Sequence, residues 1–287
     1  MEVFRYQAKE NRVYAEFVSL LNINPEKVNN IGDIPFMPIS FFKSHSVTTQ
    51  STAQLLFTSS GTTGQTRSKH KVYSSELYER SFVSGFNQFY SNYKNYTFLA
   101  LLPSYLEQKN SSLVYMADYF IQNSPKAKSA FYLQNFQELN SIIKELEEEK
   151  KPYILLGVSY ALLDFIESYP QKLAQGIIME TGGMKGRRNE LTKRELHLRL
   201  KQGFGVQTIH SEYGMTELLS QAYSLGDEKY KCPPWMKVMA RSTNDPFQIL
   251  KPETRGLVSI IDLANLYSCS FIATDDIGLI HQDQTFE

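Results

Sequence analysis

Cysteine is scarce here: Cys232 and Cys269 are the only two among 287 residues. Two thiols make no disulfide framework, and the usage fits a reducing compartment. A charge surplus is missing too, with 30 Lys and Arg against 30 Asp and Glu. That balance argues against a nucleic-acid partner held by its phosphates, but it leaves room for a small anion in one local site. No apolar run approaches the ~20 residues of a membrane span. The opening MEVFRYQAKENRVY carries charges throughout, unlike the apolar centre of a signal peptide. Internal repeats and low-complexity tracts are absent. These absences lead us to expect a soluble cytoplasmic protein.

What is present is a chain rich enough in apolar residues to build a large core, at 42% hydrophobic and 13% aromatic. Residues 5–22 have helical spacing through Tyr6, Val13, Phe17, Leu20 and Leu21. Residues 31–45, with two prolines among aromatics, read as an extended connector. Strands are then expected at 55–58, 97–103, 129–133, 153–157, 176–180 and 206–210. The helices between them are expected at 75–90, 113–121, 136–149, 161–168 and 191–201, the last stopped by Gly203. Apolar strands separated by amphipathic helices imply βαβ units and a largely parallel sheet covered by helices. After Gly214 the helices stop, and LLSQAYSL, GLVSIIDL and CSFIATDDIGLI read as strands joined by turns. The expected fold is α/β: a core over residues 1–217 and a smaller β-rich part over 218–287.

The stretch LLFTSSGTTGQTRSKHK (55–71) is the most informative. An apolar run gives way to Thr58, Ser59, Ser60, Gly61, Thr62, Thr63 and Gly64, with Arg67 and Lys69 close behind. Placed between a strand and a helix, such a loop turns backbone N–H groups and hydroxyls toward one anion, and its glycines let the chain approach closely. It is neither a Walker loop nor a G-x-G-x-x-G turn, because the glycines are too close together and Gln65 follows. A Ser/Thr-rich surface turn is the plain alternative.

The loop resembles the [ST]SG[ST]TG-x-P-K signature of the adenylate-forming enzymes, with Thr66 at the usual proline and Arg67 at the usual lysine. VQTIHSEYGMTE (206–217) resembles their strand followed by Y-G-x-T-E, and ATDDIGLI (273–280) their T-G-D-x-G with Asp275 in place of glycine. METGGMKGRR (179–188) falls where that superfamily has a Gly-rich segment. The resemblance implies ATP as co-substrate, with Thr58 to Gly64 around the phosphates and Arg67 or Lys69 supplying positive charge. It places Tyr213 and Gly214 near adenine, Gly182 and Gly183 against the base, Thr216 on a phosphate, Glu217 on Mg²⁺ and Asp276 on the ribose hydroxyls. A carboxylate is a hard oxygen donor, which suits Mg²⁺ bridging phosphates.

IPFMPISFFKSH, SSGTTGQTRSKH and HSEYGMTE resemble one branch more specifically, the acyl-protein synthetases of bacterial bioluminescence. That branch implies attack of a carboxylate, of fatty type, on the α-phosphate of ATP, loss of pyrophosphate, and transfer of the acyl group to a thiol of a protein or of coenzyme A. The chain ends at Glu287, soon after Asp276, so the mobile C-terminal domain of full-sized relatives and its lysine are expected to be largely absent. A non-catalytic nucleotide- or acyl-binding module therefore stays open beside the enzyme. A kinase is disfavoured, since neither a Walker loop nor a kinase Gly loop occurs.

Other residues keep two readings. Cys269 reads as a core thiol and Cys232 as a more exposed one. His210 and Trp235 can line the site or simply pack, and Tyr105 and Tyr115 are candidates for an acid pocket. His70 reads as solvent-facing.

Overall fold

The structure, a computed structural model, describes residues 1–60, 66–103, 110–124, 127–133, 135–184 and 188–287. The single helix expected over residues 5–22 is two, α1 (Glu2–Glu10) and α2 (Arg12–Leu20). Asn11 divides them. Its extended backbone breaks the spiral, and its side-chain carbonyl accepts from Val13 N and Tyr14 N to cap α2. The connector holds a short strand, β1 (Met37–Pro38), followed by α3 (Phe41–Ser44).

β2 (Leu55–Thr58) is as expected, but it pairs antiparallel with β3 (Lys69–Val72), a strand not anticipated. The Ser/Thr/Gly loop thus joins two strands of a ribbon instead of leading into a helix. This correction removes a helix N-terminus, with its positive dipole end, as the source of anion affinity there. β3 was hard to see because its buried positions are His70 and Val72, and a histidine does not read as an inward residue.

α4 (Ser75–Tyr90) starts where expected, with Ser74 Oγ accepting from Leu77 N at 3.1 Å. The alternation follows through β4 (Thr97–Leu101), α5 (Ser112–Asn123), β5 (Ala130–Phe131) and α6 (Phe136–Glu148). It continues through β6 (Tyr153–Val158), α7 (Ser159–Ser168), β7 (Gly176–Thr181), α8 (Lys193–Phe204), β8 (His210–Tyr213) and β9 (Ala222–Ser224). These strands form a six-stranded sheet ordered β5-β4-β6-β7-β8-β9, parallel except for β9 at its edge. β4 and β6 are buried along their whole length, which explains their unbroken apolar runs. Phe98 stacks on Phe120 with ring centroids 5.0 Å apart, and Phe86 packs beside both.

Helix α8 runs through Gly203 and stops at Gly205, whose φ of 61° is left-handed. A Cβ there would lie 2.9 Å from Lys172 Cα, so the turn needs glycine for space as well as for its backbone angle. Gly205→Ala should cost about 1–2 kcal/mol, read by urea unfolding; a neutral result would mean the turn relaxes freely.

The C-terminal strands are β10 (Met236–Arg241), β11 (Arg255–Asp262) and β12 (Phe271–Leu279). They pair antiparallel with one another, and β1 joins β12 in parallel at the far edge, giving the order β1-β12-β11-β10. Its core also takes Phe4, Tyr14, Val18, Met37 and Phe42 from the start of the chain. Gln7 fixes this joint. It donates to Asn265 O (2.8 Å) and Leu266 O (2.9 Å) and accepts from Ser270 N (2.9 Å), all in buried or part-buried surroundings.

Candidate nucleotide and acid site

Three of the segments quoted for the site meet near the carboxyl ends of the parallel strands, while Asp276 of the fourth stays outside the cavity they line. That is where open α/β sheets place their ligands, because successive loops splay apart there. Thr58, Ser59, Ser60, Gly182, Gly214, Met215, Thr216 and Glu217 line one cavity of ≈ 260 Å³. Residues 55–60, 181–184 and 213–217 are far apart in the chain, so this meeting is a property of the fold.

Each piece is pinned by its own bonds. Ser59 and Ser68 close the base of the loop, Ser59 N donating to Ser68 O (3.2 Å) and Ser68 N to Ser59 Oγ (2.9 Å). Gly61, Thr62, Thr63, Gly64 and Tyr105 lie outside the described residues. The 216–220 stretch is held from three sides. His70 Nδ1 donates to Thr216 O at 2.8 Å, and Asn265 Nδ2 donates to Glu217 O at 2.8 Å. Asp262, fully buried, accepts from Leu219 N (2.8 Å) and Ser220 N (3.0 Å). His70 is therefore not solvent-facing. It is wholly buried, and burial pushes its pKa down to about 4, so it is a neutral donor that positions the Thr216 segment.

Glu217 is 6% exposed, and burial raises its carboxyl pKa; a hydrogen bond from Ser68 and the charge of Lys43 pull the other way. Asp276 is exposed and does not line the cavity, but its Oδ2 accepts from Tyr213 OH at 3.0 Å. Its charge is also felt at Glu217. Arg67 and Lys69 are exposed, outside the cavity lining, as is Gly183, beside which a Cβ would meet open space. Gly182 has φ 65°, the left-handed turn that ends β7.

Among the described residues no group of three or more His, Cys, Asp or Glu could hold a metal alone. Glu217 brings a hard carboxylate oxygen to the cavity beside the Thr58, Ser59 and Thr216 hydroxyls. That donor set fits Mg²⁺, which keeps waters and phosphates as its other ligands.

The far wall was only partly legible in the sequence, through the 103–116 stretch. Tyr78, Ser111, Ser112, Leu113, Met116, Thr181, Glu212 and Gln221 complete the lining. Glu212 is 6% exposed, and its Oε2 accepts from Thr181 Oγ1 at 2.5 Å. Burial pushes its carboxyl up to about 7 against the pull of that hydrogen bond. The available signal was alternation in HSEY, which sends Glu212 and Tyr213 to opposite faces of β8.

The remaining candidates lie outside this cavity, and Tyr115 lines a neighbouring one of ≈ 540 Å³ with Phe57, Ser111 and Phe131. His210 shares a hydrogen bond with Tyr90 OH (3.2 Å), away from the cavity. Trp235 Nε1 donates to Ser81 Oγ (3.1 Å) and Ser220 Oγ (3.0 Å). Tyr115 donates to Glu79 Oε1 outside the lining. Cys269 is fully buried and Cys232 half-buried, and burial pushes both thiols up to about 12.

With this geometry in hand, comparison with known proteins is direct. The acyl-protein synthetase (LuxE) family matches residues 1–286. The chain belongs to that family. Membership places it among enzymes of acyl activation and transfer. It is similar to the long-chain-fatty-acid–luciferin-component ligase of Vibrio harveyi, at 26% identity over 303 residues, 98% of this chain and 78% of that one. The fold is similar to an open 2-hydroxyisobutyryl-CoA ligase in complex with 2-HIB-AMP and CoA (TM-score 0.68, 8% identity, 100% of this chain). It is also similar to apo MatB from Rhodopseudomonas palustris (TM-score 0.56, 12% identity, 81% of this chain). The architecture is that of the N-terminal part of adenylate-forming enzymes. This chain spans 66% and 46% of the length of those two solved chains. No helix among the described residues is long and apolar enough to cross a membrane.

Proposed function

We propose that this protein activates a carboxylic acid with ATP and Mg²⁺, forming an acyl-adenylate, and then passes the acyl group to a thiol of a protein or of coenzyme A. The observation that carries the reading is the shared cavity, where the Thr58–Ser60 stretch, Gly182 and the Gly214–Glu217 stretch face one another. Family membership and the adenylate-bound structural relative support it.

In this reading Thr58, Ser59, Ser60 and the loop up to Gly64 donate hydrogen bonds to the phosphates, and Arg67 or Lys69 neutralises charge. Glu217 would hold Mg²⁺, whose chemistry is to draw charge from the phosphate oxygens during displacement. Thr216 orients the reacting phosphate. Tyr213, tied to Asp276, would flank the base, with Gly182 and Gly183 beside it and Asp276 accepting from the ribose hydroxyls. Residues 218–287 complete the nucleotide side, and residues 1–217 supply the rest.

The test is exchange of labelled pyrophosphate into ATP, with and without added carboxylic acids. Acid-dependent exchange is expected. Nucleotide binding without exchange for any acid would make the protein a binding module.

A further inference from the structure

On the proposed activation reaction, on which this inference rests, the acid's carboxylate must come within about 3–3.5 Å of the phosphorus it attacks. The reacting end of the acid therefore lies inside the phosphate cavity, beside the nucleotide. The tail is not bound by that demand. Ser111 borders both this cavity and the neighbouring one of ≈ 540 Å³, whose lining includes Leu55, Phe57, Val114 and Phe131. What the phosphate cavity must supply is a partner for a second anion.

Among the described residues of the lining none is Lys, Arg or His, and Arg67 and Lys69 lie outside it. The lining carries two carboxyls instead. Glu217 has the Mg²⁺ role above; Glu212 has none. Glu212 is buried, and Thr181 Oγ1 donates to its Oε2, the one hydrogen bond it has among the described residues. Its Oε1 lies on the Gly214 side, 2.6 Å from where a Cβ on that residue would be, so glycine keeps the approach to Oε1 clear. Gln221 borders the same spot, its Cγ 3.6 Å from that Cβ position, and its buried Oε1 has no partner. This corner holds hydrogen-bonding capacity that the fold does not use.

A buried carboxylate with one hydroxyl donor and no cation beside it is costly, and such a group takes up a proton instead. The charges around it do not reverse this. Glu180 of β7 repels and Lys193 of α8 attracts, and those two are paired with each other. Tyr78 and Tyr90 of α4 and Tyr223 of β9, where its charge is felt, are held protonated by burial. The Glu212 carboxyl is pushed up to about 7, and the phosphates of a bound nucleotide push it further the same way. With Oε2 accepting from Thr181, the proton belongs on Oε1, on the open Gly214 side.

We propose that Glu212 is an uncharged donor to the substrate carboxylate, its Oε1–H holding one oxygen while the other attacks the α-phosphate, with the Gln221 amide alongside. A neutral carboxyl can pair with a carboxylate where an ionised one would repel it. The contact reads the head of the acid and is indifferent to the length of its tail.

The test is the KM for the acid in pyrophosphate exchange at saturating ATP and Mg²⁺, from about pH 6 to about pH 9, in the wild type, Glu212→Gln and Glu212→Leu. KM does not depend on the fraction of protein folded, so partial unfolding of a variant does not mimic the result. In the wild type it should be constant at low pH and rise about tenfold by about pH 9, as the donor loses its proton. Glu212→Leu, without a donor, should raise it about 10–100-fold at low pH and flatten the profile. Glu212→Gln, which keeps an amide donor at every pH, should stay within about threefold of the wild type at low pH and also be flat. The multiples should agree for butanoate and tetradecanoate, whose carboxylate ends are alike. A flat wild-type profile would overturn the proposal, as would Glu212→Gln failing as badly as Glu212→Leu, since an anion would then be what the site needs. An effect on one chain length alone would place Glu212 on the tail, and a defect confined to the KM for ATP would place it on the base; either also overturns it. All four outcomes leave acid activation standing. Exchange with no acid would remove the activation reaction, and this role with it.

Discussion

Glu217→Gln should lower acid-dependent pyrophosphate exchange about 10²–10³-fold, the scale on which loss of one preorganised charge-stabilising group is felt. Gln is close to Glu in size and retains an oxygen that can accept from Ser68. What it loses is the negative charge that a divalent cation needs. The defect should therefore depend on Mg²⁺, with a raised half-saturating concentration for the ion as well as a lower rate at saturation. Stability should not fall with it. Burial raises the Glu217 carboxyl above its ordinary 4.5, so the ionised form is disfavoured by the fold. The stabilisation linked to that raised value is present below pH 4.5 and is lost as pH rises through the folded value, so near neutrality the neutral amide removes a cost. Melting temperature at about pH 8 should match or exceed the wild type's. Unchanged exchange with unchanged Mg²⁺ dependence would take Glu217 out of the metal site.

This residue also shows how far the sequence could be read. The place of Glu217 on the cavity could be read because it sits in Y-G-x-T-E, a motif recognisable by residue type and spacing. The alternating strands and helices from 97 to 213 were legible for a simpler reason: β4 and β6 are buried on both faces, so their apolar runs are unbroken. Short elements with mixed faces were not. β3 hides behind Lys69 and Lys71, and β10 (Met236–Arg241) alternates buried with more open positions, so neither run stands out from its neighbours. The 206–210 strand came four residues early because Val206 and Ile209 are apolar, whereas the paired residues are His210 to Tyr213. Glu212 and His70 were missed or misplaced for one shared reason. Each is a polar side chain whose cost of burial is met by a partner distant in sequence, Thr181 and Thr216. No local pattern predicts such a partner.

The largest effect on stability should come from a cluster that no motif announced. Glu180, at the end of β7, has a side chain only 2% exposed and pairs with Lys193 Nζ at 2.5 Å. Ser159 Oγ donates to its Oε2 at 3.3 Å, and His197 Nε2 lies 3.4 Å from Oε1. Burial alone would raise the Glu180 carboxyl. The His197 hydrogen bond and the Lys193 charge outweigh it and hold the group down to about 2. A depressed carboxyl stabilises the fold above its unfolded value of 4.5, and that contribution is lost as pH falls from 4.5 toward 2. Lys193→Met keeps the bulk of the stem but strands the charge, and should cost about 3–5 kcal/mol at neutral pH by urea unfolding. The loss should shrink as pH drops toward 4, since the stranded carboxyl then takes up a proton. Adding Glu180→Gln should recover part of it for the same reason. Lys193 Nζ also donates to Tyr230 OH at 2.5 Å, and Tyr230 packs edge-on against Tyr213. The same substitution should therefore loosen the Tyr213–Asp276 pair and raise the KM for ATP above that of a variant equally destabilised elsewhere, such as Gly205→Ala at a matched fraction folded. A loss under about 1 kcal/mol that is flat in pH would mean that water reaches Glu180 and that the pair behaves as a surface one.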